Sequence, residues 1–181
     1  MLIQKVKRPP KTEIELEMVD GKPQTLTVKN LERFLLGELT LAQVQGITME
    51  QAYAYAQLGY NVLQQGKLED ARKVFEGLVV LNPYDAYFHS VLGSVLARQE
   101  NKDRALKEFT IAINLESQDP YVFVNRAELL LEREQYDDAL EDLNMAIKLD
   151  KTGKHPAIQR AKTLLAATKK RTQGTRKKAG K

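Results

Sequence analysis

The chain has 181 residues, 43% of them apolar and 29% charged, which describes one helix-rich domain of ordinary size with enough apolar residues for a core. It has no cysteine, hence no disulfide and no thiolate ligand, and His89 and His155 fall in different elements without patterned partners, which argues against a histidine metal site. The net charge of +4 hides an acidic body with basic ends: residues 12–150 hold 13 Lys and Arg against all 24 Asp and Glu, while residues 1–11 add four basic groups and residues 151–181 add eleven.

Residues 1–29 read as a basic N-terminal extension. Met1 to Lys11 has no apolar run of the signal-peptide kind and carries Pro9-Pro10, so this stretch is expected to be disordered and the protein cytoplasmic. No segment approaches the roughly 18 apolar residues that a membrane span needs. From Thr12 the pattern alternates: Ile14, Leu16 and Met18 point one way, Asp20-Gly21 signals a turn, and Leu26 and Val28 alternate again. That is the pattern of a β-hairpin, although two strands alone are marginal in water and need a partner surface. Residues 30–47 form a leading helical segment, in which Leu31, Phe34 and Leu35 share one helix face, Gly37 is a stop, and a second turn runs from Leu39 to Val44.

Thr48-Met49-Glu50-Gln51 fits a capping box that opens the first long helix. Beyond it, Ala71, Ala105 and Ala139 recur every 34 residues. The pairs Leu58-Gly59, Leu92-Gly93 and Arg126-Ala127 keep the same phase, as do Phe75, Phe109 and Leu143. This is the tetratricopeptide pattern, in which each unit is an antiparallel pair of helices, A and B. It predicts an all-α fold: three repeats in a concave right-handed stack over residues 48–151, in the registers 52–85, 86–119 and 120–153. Gly59 and Gly93 fall where helix A passes close to helix B. Turns from A to B are expected at Gly66-Lys67, Asn101-Lys102 and Gln135-Tyr136. A capping helix over 154–170 follows, with Ile158, Ala161, Leu164 and Leu165 on one side, and then a basic tail, 171–181, expected to be disordered. The stretch Lys169 to Lys181 lacks aromatic residues for stacking bases, so a solubilising role is favoured over contact with nucleic acid or an anionic surface.

In such a stack the A helices line the concave face. Tyr53, Tyr87 and Tyr121 share the second position of the three A helices, and positions five, nine and twelve join them: Ala56, Tyr60 and Leu63, then Ser90, Ser94 and Ala97, then Val124, Glu128 and Leu131. The expected groove is aromatic at one edge and small in the middle. Tyrosine suits an extended peptide because it buries apolar area, offers a hydroxyl and loses few rotamers. Against this stands the plainer role of filling gaps between helices, which Tyr55, Phe88 and Phe123, at positions three and four, are expected to play in the core. Catalysis is not expected, and neither is a cofactor or a bound metal. The acidic pairs Glu69-Asp70, Asp137-Asp138 and Glu141-Asp142 sit near B-helix starts, where acids favour the dipole, and no phosphate loop or nucleophile motif is present.

Three stretches give the chain a resemblance to the class II chaperones of type III secretion: Leu31-Glu32-Arg33-Phe34-Leu35 with Gly46-Ile47, then Gln65 through Phe75, and Leu78 through Asp85. That resemblance implies an all-helical cup that holds an extended segment of a hydrophobic translocator before export. It also implies a homodimer through the leading segment, with Leu31, Phe34, Leu35 and Leu39 at the contact. The sequence departs from the family at Ala56 and Leu63, where the family places aromatics, and in residues 12–28 and the basic tail. A tetratricopeptide scaffold or regulatory adaptor for a folded cytoplasmic protein is the alternative, and binding of nucleic acid or a membrane surface through the basic ends is a third.

Overall fold

Three helical hairpins in series make the body of the chain: α3 (Met49–Gln64) with α4 (Leu68–Leu81), α5 (Ala86–Arg98) with α6 (Lys102–Asn114), and α7 (Pro120–Glu132) with α8 (Tyr136–Leu149). The computed structural model describes residues 14, 16–19, 22–150 and 152–179. Ahead of the hairpins lie β1 (Glu17–Val19), β2 (Lys22–Gln24), α1 (Val28–Leu35) and α2 (Leu41–Val44), and behind them α9 (Pro156–Ala179). Each A helix packs on its own B helix, each B helix on the next A helix, and α9 on both α7 and α8. The three predicted repeats are therefore the observed ones.

The helix starts follow from local chemistry. The Thr48 hydroxyl accepts the Gln51 N–H at 3.2 Å and Gln51 Oε1 accepts the Thr48 N–H at 2.9 Å, which is the expected capping box. Asp85 and Asp119, one repeat apart, cap α5 and α7 by accepting the N–H groups of Tyr87 and Tyr121, each at 2.9 Å. The B helices have no side-chain cap; instead the residue two before each, Gly66, Glu100 or Glu134, takes a left-handed φ of 77°, 59° or 60° that reverses the chain. Inside the hairpins Ala71, Ala105 and Ala139 are fully buried. A Cβ on Gly59 would lie 2.7 Å from Val74, and one on Gly93 would lie 2.8 Å from the Phe109 ring. The predicted close approach of A to B is thus present.

Elsewhere the structure departs from the expectation. The hairpin exists, with Val19 opposite Lys22, but its strands have three residues each. Leu26 lies in the loop beyond β2, and Val28 begins α1 instead of extending a strand. The cause is a cap: the Thr27 hydroxyl accepts the Asn30 N–H at 3.1 Å, and Asn30 donates its side-chain amide to the Thr25 carbonyl at 2.8 Å. The basic tail is helical through Ala179, where disorder was expected from residue 171. Residues 1–11 lie outside the described residues. Tyr55, expected in the core, is exposed, whereas Phe88 and Phe123 are buried as anticipated. Asp142 is not a solvated helix end: it is 3% exposed, and its two carboxylate oxygens accept from Nε and Nη2 of Arg126, each at 2.7 Å.

Candidate functional site

Tyr53 stands one turn inside α3, Tyr87 and Tyr121 are the second residues of α5 and α7, and the three are 45%, 40% and 40% exposed. Each also touches a neighbouring unit. Tyr53 donates its hydroxyl to Asp85 at 2.7 Å, tying α3 to the cap of α5, and its ring lies 6.1 Å from Tyr87 and 5.5 Å from Phe88. Tyr121 meets His155 edge-on at 4.8 Å, just before the capping helix. Burial, helped by the Asp85 carboxylate, pushes the Tyr53 phenol up to about 12, and burial likewise pushes Tyr87 up. Both therefore remain neutral hydroxyls at any physiological pH. The tyrosines do two things at once: one side of each ring joins neighbouring units and the rest faces solvent.

Below them opens a hollow of about 520 Å3. Helix α3 supplies Tyr60, Leu63 and Gln64; α5 supplies Tyr87, Ser90, Ser94 and Arg98; α7 supplies Tyr121 and Asn125, and Asp119 stands at its start. Arg160 reaches in from α9. A second hollow of about 450 Å3 continues it, sharing Ser94, Arg98, Asn125 and Arg160 and adding Ala97 and Glu128. The serines are small and satisfied by their own helix, Ser90 donating to the Tyr87 carbonyl at 2.9 Å and Ser94 to the Ser90 carbonyl at 3.0 Å. They leave room without demanding a polar ligand. Glu128 forms an ion pair with Arg160, and burial pushes its carboxyl up against the pull of that guanidinium.

Of the residues expected on this face, Tyr60, Leu63, Tyr87, Ser90, Ser94 and Tyr121 line the main hollow, and Ala97 and Glu128 line its continuation. Ala56 and Val124, both at position five, do not: they are buried in the core between the helices. Leu131 is half-buried against the core, and Tyr53 lies beside Tyr87 at the outer edge. Gln64, Arg98, Asp119, Asn125 and Arg160 were not anticipated. Asn125 and Arg98 sit one residue beyond the positions read as groove, and Arg160 comes from a helix outside the repeat register.

On the leading segment, Val28, Leu31, Leu35 and Leu36 are exposed, Phe34 is half-buried, and Leu39, expected at a dimer contact, is 2% exposed within the chain itself. Among the described residues no cluster of acids and histidines could hold a metal ion, and no helix is long and apolar enough to cross a membrane.

Residues 56–122 match the family model for the tetratricopeptide repeat. A 59-residue stretch is 46% identical to the low calcium response locus protein H of Yersinia pestis, covering 31% of this chain and 33% of that protein. The chain thus spans about a third of that curated relative. Among solved structures, a T3SS complex from Aeromonas hydrophila superposes with a TM-score of 0.70 at 25% identity, covering 80% of this chain and 98% of the other. The type III secretion chaperone SycD of Yersinia enterocolitica, in complex with a peptide of the translocator YopD, superposes with a TM-score of 0.61 at 28% identity, covering 70% and 98%. The same SycD in an alternative dimer gives 0.63 at 28% identity over 70% and 97%.

Proposed function

We propose that this chain, whose repeats and fold are those of the translocator chaperones of type III secretion, is a non-catalytic cytoplasmic chaperone that holds an extended apolar segment of a secreted client in its groove. The observation that carries the reading is the continuous hollow that crosses all three A helices and reaches the capping helix, rimmed by Tyr60, Tyr87 and Tyr121. SycD, which shares the fold, is known with a translocator peptide bound. A client segment with apolar anchors would aggregate or insert into membrane before export, and burying two or three anchors against tyrosines suppresses both routes. The client loses chain entropy on docking, so binding is moderate per unit area and compatible with later release.

The test is fluorescence polarisation with overlapping synthetic peptides that tile the hydrophobic secreted proteins encoded beside this gene. One tile binds, and Tyr60→Ala with Tyr87→Ala and Tyr121→Ala weakens it at least about tenfold while the circular dichroism spectrum is kept. Binding of no tile, or equal binding by the triple variant, would remove the reading. Homodimerisation belongs to the same proposal and is assigned to Val28, Leu31 and Leu35 on α1, not to Leu39. Leu31→Glu with Leu35→Glu is expected to leave a monomer by light scattering if the wild type is a dimer.

A further inference from the structure

Seven of the eight arginines whose side chains are described reach a carboxylate within 3.4 Å. The exception among the described residues is Arg98, and it lines both hollows of the groove. Its Nη1 makes a single long bond, 3.4 Å, to the Leu63 carbonyl near the end of α3. Five N–H donors sit on a guanidinium, and a neutral carbonyl at that distance answers at most one of them. The acids nearby are already engaged. Glu128 is held by Arg160, Lys102 bridges Glu100 and Glu132 at 3.1 and 2.9 Å, and Asp119 accepts the Tyr121 N–H. Arg98 is therefore the cation of this surface that no described carboxylate pairs, whereas Lys102 and Arg160 are both paired, in a protein body that is otherwise acidic.

We infer that Arg98 anchors a carboxylate of the bound segment, set between its apolar anchors. The inference rests on the groove reading above. Its physical ground is that a charge-assisted bond to an anion is worth more than a neutral one and is strengthened where tyrosine rings and ligand exclude water. Asn125, whose amide makes only a 3.5 Å contact with Ser94, adds a second donor on the same wall. The floor at Leu63 takes the apolar neighbour. The preferred ligand is accordingly an extended segment with an acidic group next to an apolar side chain. That group is either an Asp or Glu side chain or a chain-terminal carboxylate.

The experiment is selection of random peptides on the full-length protein and on Arg98→Gln and Arg98→Glu, from one library fused at both ends and one with free C-termini. Wild type is expected to enrich an acid beside an apolar residue, Arg98→Gln to keep the apolar residue and lose the acid, and Arg98→Glu to enrich Lys or Arg. Enrichment in the doubly fused library assigns a side-chain carboxylate, and enrichment confined to the other assigns the chain terminus. For the best peptide, replacing its acid by the amide should weaken wild type about tenfold and leave Arg98→Gln unchanged. Equal acid content in peptides selected by wild type and Arg98→Gln overturns the carboxylate while leaving the groove intact; enrichment of no peptide by any protein overturns both. Circular dichroism and melting of the two variants, at an exposed position, verify that the fold is unchanged.

Discussion

Gly93 faces Phe109 and Gly59 faces Phe75, but in the third repeat the partners are Ala127 and Leu143. The substitution is coupled: a ring in helix B fills the space that a Cβ in helix A would need, and a branched aliphatic chain returns it. Gly93→Ala would place its Cβ 2.8 Å from the ring of a fully buried phenylalanine, so one of the two must move. The expected cost is about 1–3 kcal/mol by urea denaturation. Adding Phe109→Leu should recover part of it, so that the double variant is more stable than the sum of the singles allows. Gly77 is the control, since nothing lies within 4 Å of the Cβ it lacks, and Gly77→Ala is expected to stabilise α4 by about 1 kcal/mol. These glycines were legible from their period because sterics at a helix crossing repeat with the crossing. The burial of Asp142 was not, since an acid beside another acid near a helix start looks like a dipole partner until Arg126 is seen opposite it.

The Arg126–Asp142 pair stands where repeat one has Leu58 and Val74. Burial pushes the Asp142 carboxyl up even against the neighbouring guanidinium, so the buried ion is held at a cost. Arg126→Leu alone should therefore destabilise strongly, by about 3–5 kcal/mol, because it strands a buried acid. Arg126→Leu with Asp142→Val imports the repeat-one pair, and denaturant melts should place it within about 1 kcal/mol of wild type or above it. The joint between α8 and α9 gives a pH prediction. Asp150 is lowered to about 2 by the Thr152 hydroxyl, then by the N–H groups of His155, Thr152 and Gly153. A carboxyl depressed on folding lends stability that is present above the ordinary Asp range and lost as pH falls from about 4 to about 2. Asp150→Asn should flatten that part of the stability profile without altering the profile above pH 5. Element boundaries were readable wherever periodicity was long, and they failed where two local signals competed. Leu26 and Val28 fit strand alternation equally with a Thr27 cap, and the tail's Lys, Arg, Gln and Ala are good helix formers as well as solubilising residues.

A stack of repeats has two ends, and this one treats them differently. At the far end Ala157, Ile158 and Ala161 of α9 are buried against the last hairpin. At the near end α3 leaves Leu58 61% exposed, although its repeat mate Leu92 is 2% exposed, and Tyr55 stays exposed where His89 and Phe123 are buried. The groove itself was half legible, because A-helix register names the tyrosines, whereas Arg160 belongs to the cap and enters only when the stack closes on it. A residue's contribution should consequently follow its place in the stack and not its type. Leu92→Gln and Ile158→Gln bury an amide in a filled core and are each expected to cost at least about 3 kcal/mol in urea melts. Leu58→Gln, the same chemistry at the open edge, should stay within about 0.5 kcal/mol of wild type at low protein concentration. If Leu58→Gln instead costs as much as Leu92→Gln, and the cost grows with protein concentration, then the open edge is covered in solution by another chain, since only association makes stability depend on concentration.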